Sequence, residues 1–228
     1  MCGRFALTAS PELVRQLFGY EEQPNFPPRT NIAPTEPLAV VVKEHGARRF
    51  KLVRWGFLPA WVKDPNEFPL LINARGETVT EKAAFRASIR HRRCLVPADC
   101  FYEWRREDGR KTPYRIRRAD GLPFAMAGLW ETHLSKDGSE IDTAAIVTTS
   151  SNGVVSAVHD RMPVIVPEER WELWLDPFSD AKDAVALIRP APEDLLVIEP
   201  VDPKLPKPER RAPAPKPAPP PSAQGELF

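Results

Sequence analysis

Apolar side chains in this sequence gather in short runs, some continuous and some alternating with polar residues, broken by Gly, Pro, Asp and His-Gly pairs, and such runs predict strands. Residues 38–43 and 49–55 are two such runs on either side of His45-Gly46, so a hairpin is expected there. Residues 101–105 and 114–118 alternate around Asp108-Gly109, a second hairpin signal, because Asp-Gly suits the turn that joins twisted strands. Residues 124–130, 141–148 and 163–166 are further strand candidates. Helical spacing is rarer. Ser10-Pro11-Glu12 ahead of Leu13, Val14, Leu17 and Phe18 reads as an N-capped helix with one apolar stripe. Residues 80–89, 168–175 and 181–188 also read as helical. The mixture predicts an α+β fold: a curved, barrel-like antiparallel sheet with a few flanking helices.

The pattern stops near residue 200. From position 200 to 221, 10 of 22 residues are proline, and little in the stretch is worth burying. Residues 1–199 are therefore expected to fold as one domain, with 200–228 an extended, disordered tail. Composition agrees: of 228 residues, 42% are apolar and 28% charged, as in globular proteins of this length. No apolar run approaches the roughly 20 residues of a membrane span, and no secretory leader is evident. Three cysteines argue against a disulfide framework, so a cytoplasmic protein is expected. Charge adds an asymmetry. Residues 1–159 hold 23 basic and 18 acidic side chains, whereas 160–199 hold 4 and 10. A local basic groove for nucleic acid fits that distribution, and so does an ordinary solvated surface.

Cys2 is the most informative position. Removal of Met1 leaves an amine and a thiol on adjacent carbons, both with reference pKa values of about 8. With an aldehyde, the amine forms an imine and the thiolate closes a five-membered thiazolidine, an intramolecular step favoured by proximity. The bland alternative is an incidental residue in a frayed terminus. Glu103, among Phe101, Tyr102 and Trp104, is a candidate acid-base group because an apolar setting disfavours its charge. An ion pair with one of the many arginines explains it equally well. His159 can move protons near neutral pH, or be structural. The run from Trp55 to Trp61 reads as a loop whose rings either stack on unpaired bases or pack in the core. Asn73 and Arg75, after a short apolar strand at 70–72, could hold a sugar-phosphate or cap the next helix. Cys94 and Cys100 lack a second ligand pair, and His45 and His133 fall in expected turns, so no metal or other cofactor is expected.

Taken in order, these segments resemble the SOS response-associated peptidase (SRAP) family. The resemblance rests on Met1-Cys2-Gly3-Arg4, Asn31-Ile32-Ala33-Pro34, Trp55-Gly56-Phe57-Leu58-Pro59, Asn73-Ala74-Arg75 and Arg93-Cys94-Leu95-Val96-Pro97. It continues through Phe101-Tyr102-Glu103-Trp104, Ala127-Gly128-Leu129-Trp130, Thr148-Thr149 and His159-Asp160-Arg161-Met162-Pro163-Val164. It implies a sensor of abasic sites in single-stranded DNA, also at single-strand/duplex junctions, that crosslinks itself to the ring-opened sugar through Cys2. By the same resemblance, Asn73 orients the terminal residue or the sugar and Glu103 assists imine formation. His159 would handle sugar ring opening and crosslink reversal. Arg4, Arg75 and Arg161 would contact phosphates, with Thr148 and Thr149 alongside, and Trp55 or Trp61 would meet a base. The family's usual glycine is Cys100 here; strand alternation turns it away from Glu103, so no catalytic role is expected. Gly76 and Ser151 depart mildly from the pattern.

The last residues, Gln224-Gly225-Glu226-Leu227-Phe228, resemble short peptides that dock on bacterial sliding clamps, with Gln224, Leu227 and Phe228 as anchors on a Pro-rich spacer. A monomer is expected, associating with the nucleoid on damage. Two other functions stay open. One is an N-terminal-nucleophile peptidase or amidase, extending to self-removal of Met1; the other is a non-covalent reader of modified bases.

Overall fold

The computed structural model describes residues 2–201. Met1 and the Pro-rich stretch from 202 onward, with the clamp-like Gln224, Leu227 and Phe228, lie outside the described residues. The first strands are β1 (Phe5–Leu7), β2 (Arg29–Ile32), β3 (Pro37–Glu44), β4 (Ala47–Trp55), β5 (Asn73–Arg75) and β6 (Arg93–Ala98). They are followed by β7 (Cys100–Glu107), β8 (Arg110–Arg118), β9 (Phe124–Leu134), β10 (Glu140–Ser150), β11 (Arg161–Pro163) and β12 (Leu196–Pro200). Short helices intervene: α1 (Pro11–Phe18), α2 (Ser88–His91), α3 (Gly153–Ser156), α4 (Trp171–Leu175) and α5 (Ala181–Val185).

Two sheets organise the chain, as the α+β reading expects. In one, β10 lies beside β4, β4 pairs β3, β3 pairs β6, β6 pairs β9 and β9 returns to β10, closing a five-stranded barrel. Closure removes the unpaired edges an open sheet would present. One face of the barrel wall carries Val40, Val96, Met126 and Ile146, all fully buried. Consecutive residues Leu38 to Val42 are buried, as in a strand covered on both faces. The other sheet is open and antiparallel, in the order β12-β8-β7-β1-β2. Both hairpins form where the turn chemistry places them: Glu44 opposes Ala47 and Glu107 opposes Arg110, with positive φ at His45, Gly46, Asp108 and Gly109. The Ser10 hydroxyl accepts the Leu13 N–H at 3.2 Å and starts α1 as its sequence predicts.

Three local expectations are corrected. Residues 80–89 do not form one helix; turns lead into α2, which covers only Ser88–His91. Phe85 is buried there with its ring 5.2 Å from Phe57, so packing outranks helix propensity. The strand expected at 70–72 lies three residues later, as β5, because it pairs in parallel with β10 and not with a sequence neighbour. His133 is not in a turn. It is buried in β9, with Nδ1 3.3 Å from the Pro59 carbonyl, which requires its proton on Nδ1 and ties the Trp61 loop to the barrel.

Candidate active site and nucleic-acid interface

The reactive groups gather where strands leave the barrel and meet the open sheet. β1 pairs β7 with Phe5 opposite Phe101 and Ala6 opposite Cys100. The Tyr102 N–H donates to the Arg4 carbonyl at 2.9 Å, extending this pairing toward the start of the chain and bringing Cys2 to the Glu103 end of β7. The Asp99 carboxylate pins the other end of β1, accepting from the Thr8 amide, the Thr8 hydroxyl at 2.6 Å and the Ala9 amide at 3.0 Å. Beyond the barrel, β10 continues between β5 and β11, with Thr148 opposite both Arg75 and Pro163 and Ser150 opposite Arg161. That extension sets Asn73, Arg75 and Arg161 along one stretch of sheet.

Asn73 reaches the first residues directly: its Nδ2 donates to the Cys2 carbonyl at 3.1 Å, and its buried Oδ1 has no partner among the described residues. Cys2 is fully buried; burial, then the nearby Glu103 charge, raises its thiol pKa. Glu103 is 3% exposed, and burial likewise raises its carboxyl above the usual range, opposed by neighbouring positive charge that includes His159. His159 Nε2 stands 3.9 Å from Glu103 Oε2. The Arg161 amide donates to His159 Nδ1 at 2.9 Å, so the neutral ring carries its proton on Nε2, facing Glu103. The exposed Asp160 carboxylate lies 2.9 Å from the same Nδ1 and complements the ring when it is doubly protonated. The segment bearing His159 is anchored from behind: Asn152 caps α3 by accepting from Val155 N and donates to the Ala191 carbonyl, while Glu193 accepts from Gly153 N and Val154 N.

A concavity of about 260 Å³ opens at this centre, lined by Glu103, Trp104, Arg106, Lys111 and His159. Trp104, Arg106 and Lys111 escaped the sequence reading. The signal was nonetheless present, because the Asp108-Gly109 turn fixes the register and sets Arg106 across from Lys111.

The expected DNA contacts divide. Arg75 is exposed, and Arg4 keeps a buried Nη1 without a partner among the described residues. Arg161 is engaged: its guanidinium holds the Glu77 carboxylate at 2.5 and 2.9 Å and the Thr148 carbonyl at 2.9 Å. A phosphate at Arg161 therefore has to compete with Glu77. Trp55 is a correction. It is fully buried, its indole N–H donates to the Ile72 carbonyl at 2.9 Å, and its ring packs edge-on against Phe5, so it has no face for a base. Thr148 and Thr149 are buried as well, with the Thr148 hydroxyl turned to Arg161. Trp61 is 59% exposed and rims a second hollow of about 540 Å³ with Pro59, Ala83, Ala84 and Arg86. Cys100 sits with Ala6 and Tyr102 on the opposite face of β7 from Glu103, and burial pushes its thiol up to about 11. Gly76 has a packing reason: a Cβ there would come within 2.1 Å of Ile188. Among the described residues no three His, Cys, Asp or Glu side chains are grouped to hold a metal ion, and no helix is long and apolar enough to cross a membrane.

Fold and site together define an α+β protein that presents its second residue, a cysteine, to a buried acid, an asparagine and a histidine. The chain belongs to the SOS response associated peptidase (SRAP) family, whose model matches residues 1–208. It is 37% identical over 187 residues to the abasic site processing protein YoaM of Bacillus subtilis, covering 80% of this chain and 82% of that one. To the abasic site processing protein YedK of Escherichia coli it is 30% identical over 190 residues, covering 81% and 83%. Among solved structures, a Bacteroides thetaiotaomicron protein superposes with a TM-score of 0.82 at 26% identity, covering 88% of this chain and 92% of its own.

Proposed function

We propose that this protein captures abasic sites in single-stranded DNA by forming a covalent thiazolidine through Cys2 once Met1 is removed. The observation that carries the reading is the Asn73 amide on the Cys2 carbonyl, with Glu103 beside Cys2 and facing His159 in a concavity rimmed by cations. Family membership and the relatives' names support it.

In this reading the free Cys2 amine adds to the C1′ aldehyde of the ring-opened sugar, giving a carbinolamine. Glu103, kept protonated more readily by burial, donates to the departing hydroxyl, so that water leaves and an imine forms. The Cys2 sulfur then adds to the imine carbon while its proton passes to the nitrogen, closing the ring. Burial disfavours a standing thiolate at Cys2, so deprotonation and attack are coupled to a nearby base and not to a resting anion. The unpartnered Asn73 Oδ1 is suited to accept from the liberated amine. His159, with its Nε2 proton toward Glu103, supplies and accepts the protons that open the sugar and that reverse the ring. Arg4 and Arg75 serve the phosphates, and Trp61 serves an unpaired base or a duplex end.

The test is a single-stranded oligonucleotide carrying one uracil, treated with uracil glycosylase and run on a denaturing gel. A heat-stable adduct lost in Cys2→Ala supports the reading. An undiminished adduct in Cys2→Ala, or on protein shown by mass spectrometry to retain Met1, overturns it. Peptide hydrolysis without any adduct would favour the peptidase chemistry of the family's title. For the terminal Gln224-Gly225-Glu226-Leu227-Phe228 we propose clamp docking; removal of those five residues should abolish a clamp pull-down.

A further inference from the structure

The β7–β8 hairpin carries more positive charge than it neutralises, and the surplus is concentrated at one place. Arg105 is paired with Glu107, Arg115 and Arg117 share Glu199, and Arg118 holds Asp120. Arg110, at the turn, lies across from Glu107, whose carboxylate Arg105 already holds, and it does not line the concavity. Arg106 and Lys111 differ from all of these in facing each other at the concavity. They sit directly opposite each other, both exposed, and neither has a carboxylate or hydrogen-bond partner among the described residues. Like charges on directly opposed strand positions destabilise a hairpin unless something anionic lies between or beside them. Both also border the concavity that contains Glu103 and His159, reaching it from the Tyr102 and Trp104 side of β7, the face opposite Glu103.

We infer that Arg106 and Lys111 form a phosphate subsite at the edge of this cleft, holding a DNA phosphodiester adjacent to the lesion. The inference rests on the abasic-DNA reading and extends it by naming where the strand runs: along the β7–β8 hairpin, away from the Arg75 side of the site. The unneutralised pair is ready for a mobile polyanion, because no internal carboxylate has to be displaced, unlike Glu77 at Arg161. A nearby carboxylate would have produced the paired arrangement seen at Arg105, held by Glu107 of the hairpin, and at Arg115, held by Glu199 of β12.

The experiment compares the unaltered protein with the double variant Arg106→Gln/Lys111→Gln on an abasic single strand, measuring adduct formation against DNA and salt concentration. Loss of two phosphate contacts on a single strand should lower the slope of log affinity against log salt by about 1.4. Adduct formation below saturation should fall by about tenfold near physiological salt, while the rate at saturating DNA stays unchanged. In the unaltered protein, a neutral methylphosphonate at one of the phosphates flanking the lesion should reproduce the loss, with no further loss in the double variant. Without DNA, the variant should unfold at the same temperature or higher, since a repulsion has been removed. An unchanged salt slope with normal adduct formation overturns the subsite and leaves the crosslinking function standing. A lowered saturating rate with an unchanged slope also overturns it, because the pair would then act on the chemistry and not on the strand. No adduct from the unaltered protein overturns the function itself, and the subsite with it.

Discussion

The closed barrel and the rim where it meets the open sheet are built from the same alternating strands, yet they differ in what they leave unfinished. In the barrel each ladder closes on the next, and Val40, Val96, Met126 and Ile146 have no polar business to conduct. At the rim, β5, β10 and β11 run past the closure and β1 ends against β7. Buried polar atoms there remain without partners, namely Asn73 Oδ1 and Arg4 Nη1 among the described residues. An unmade hydrogen bond in a buried place costs stability, so its presence points to a partner that arrives from outside. The barrel supplies rigidity, and the rim holds the residues proposed for the chemistry.

Four experiments separate the two regions, from the largest expected effect to the smallest. Glu103→Gln keeps the shape of the rim but removes the proposed acid-base group, and adduct formation at saturating DNA should slow by about 100-fold or more. Quench-flow or timed denaturing gels measure this, and a rate within a factor of two of the parent would remove Glu103 from the mechanism. Leu95→Ala opens a cavity in the barrel wall and should cost about 2–5 kcal/mol in denaturant unfolding. The folded fraction of that variant should crosslink at the parental rate; a parallel loss of intrinsic activity would mean the two regions are not separable. Trp61→Ala should weaken binding to single-stranded DNA by about 1–3 kcal/mol, read by fluorescence anisotropy, with melting temperature unaffected. Trp55→Phe should do the reverse, lowering melting temperature with little effect on binding, because its ring and N–H are committed to the interior.

The smallest effect concerns pH. Burial holds the Glu103 pKa in the folded state above its unfolded value of about 4.3. The folded state then binds the proton more tightly, so this residue's contribution to stability is fully present below the unfolded pKa and is lost as pH rises through the raised one. Glu103→Gln, which cannot ionise, should therefore melt higher than the parent by a margin that grows from pH 4 and levels off above the raised pKa. A margin independent of pH would show that the carboxyl titrates at its ordinary value.

Local signals were read correctly where a few neighbouring residues decide the outcome. The two hairpins, α1 and the inward alternation of Phe101 and Glu103 all follow from turn residues, a cap and a period of two. Motif order was enough to reach the family. Signals failed where distant strands decide. β5 exists because β10 accepts it in parallel, Trp55 is buried because Phe5 and the Ile72 carbonyl enclose it, and residues 80–87 coil because Phe85 follows Phe57 inward.

By itself, then, the sequence determined the strand-rich class, the two tight turns, the reactive residue types and, through their order, the family. Only the tertiary structure decided that Arg161 is already held by Glu77, that Trp61 and not Trp55 faces outward, and that Arg106 and Lys111 share a cleft with Glu103 and His159. The physical reason is range. Backbone propensities and turn geometry act over a few residues, whereas burial and charge pairing depend on whichever strands the closed barrel and the open sheet bring together.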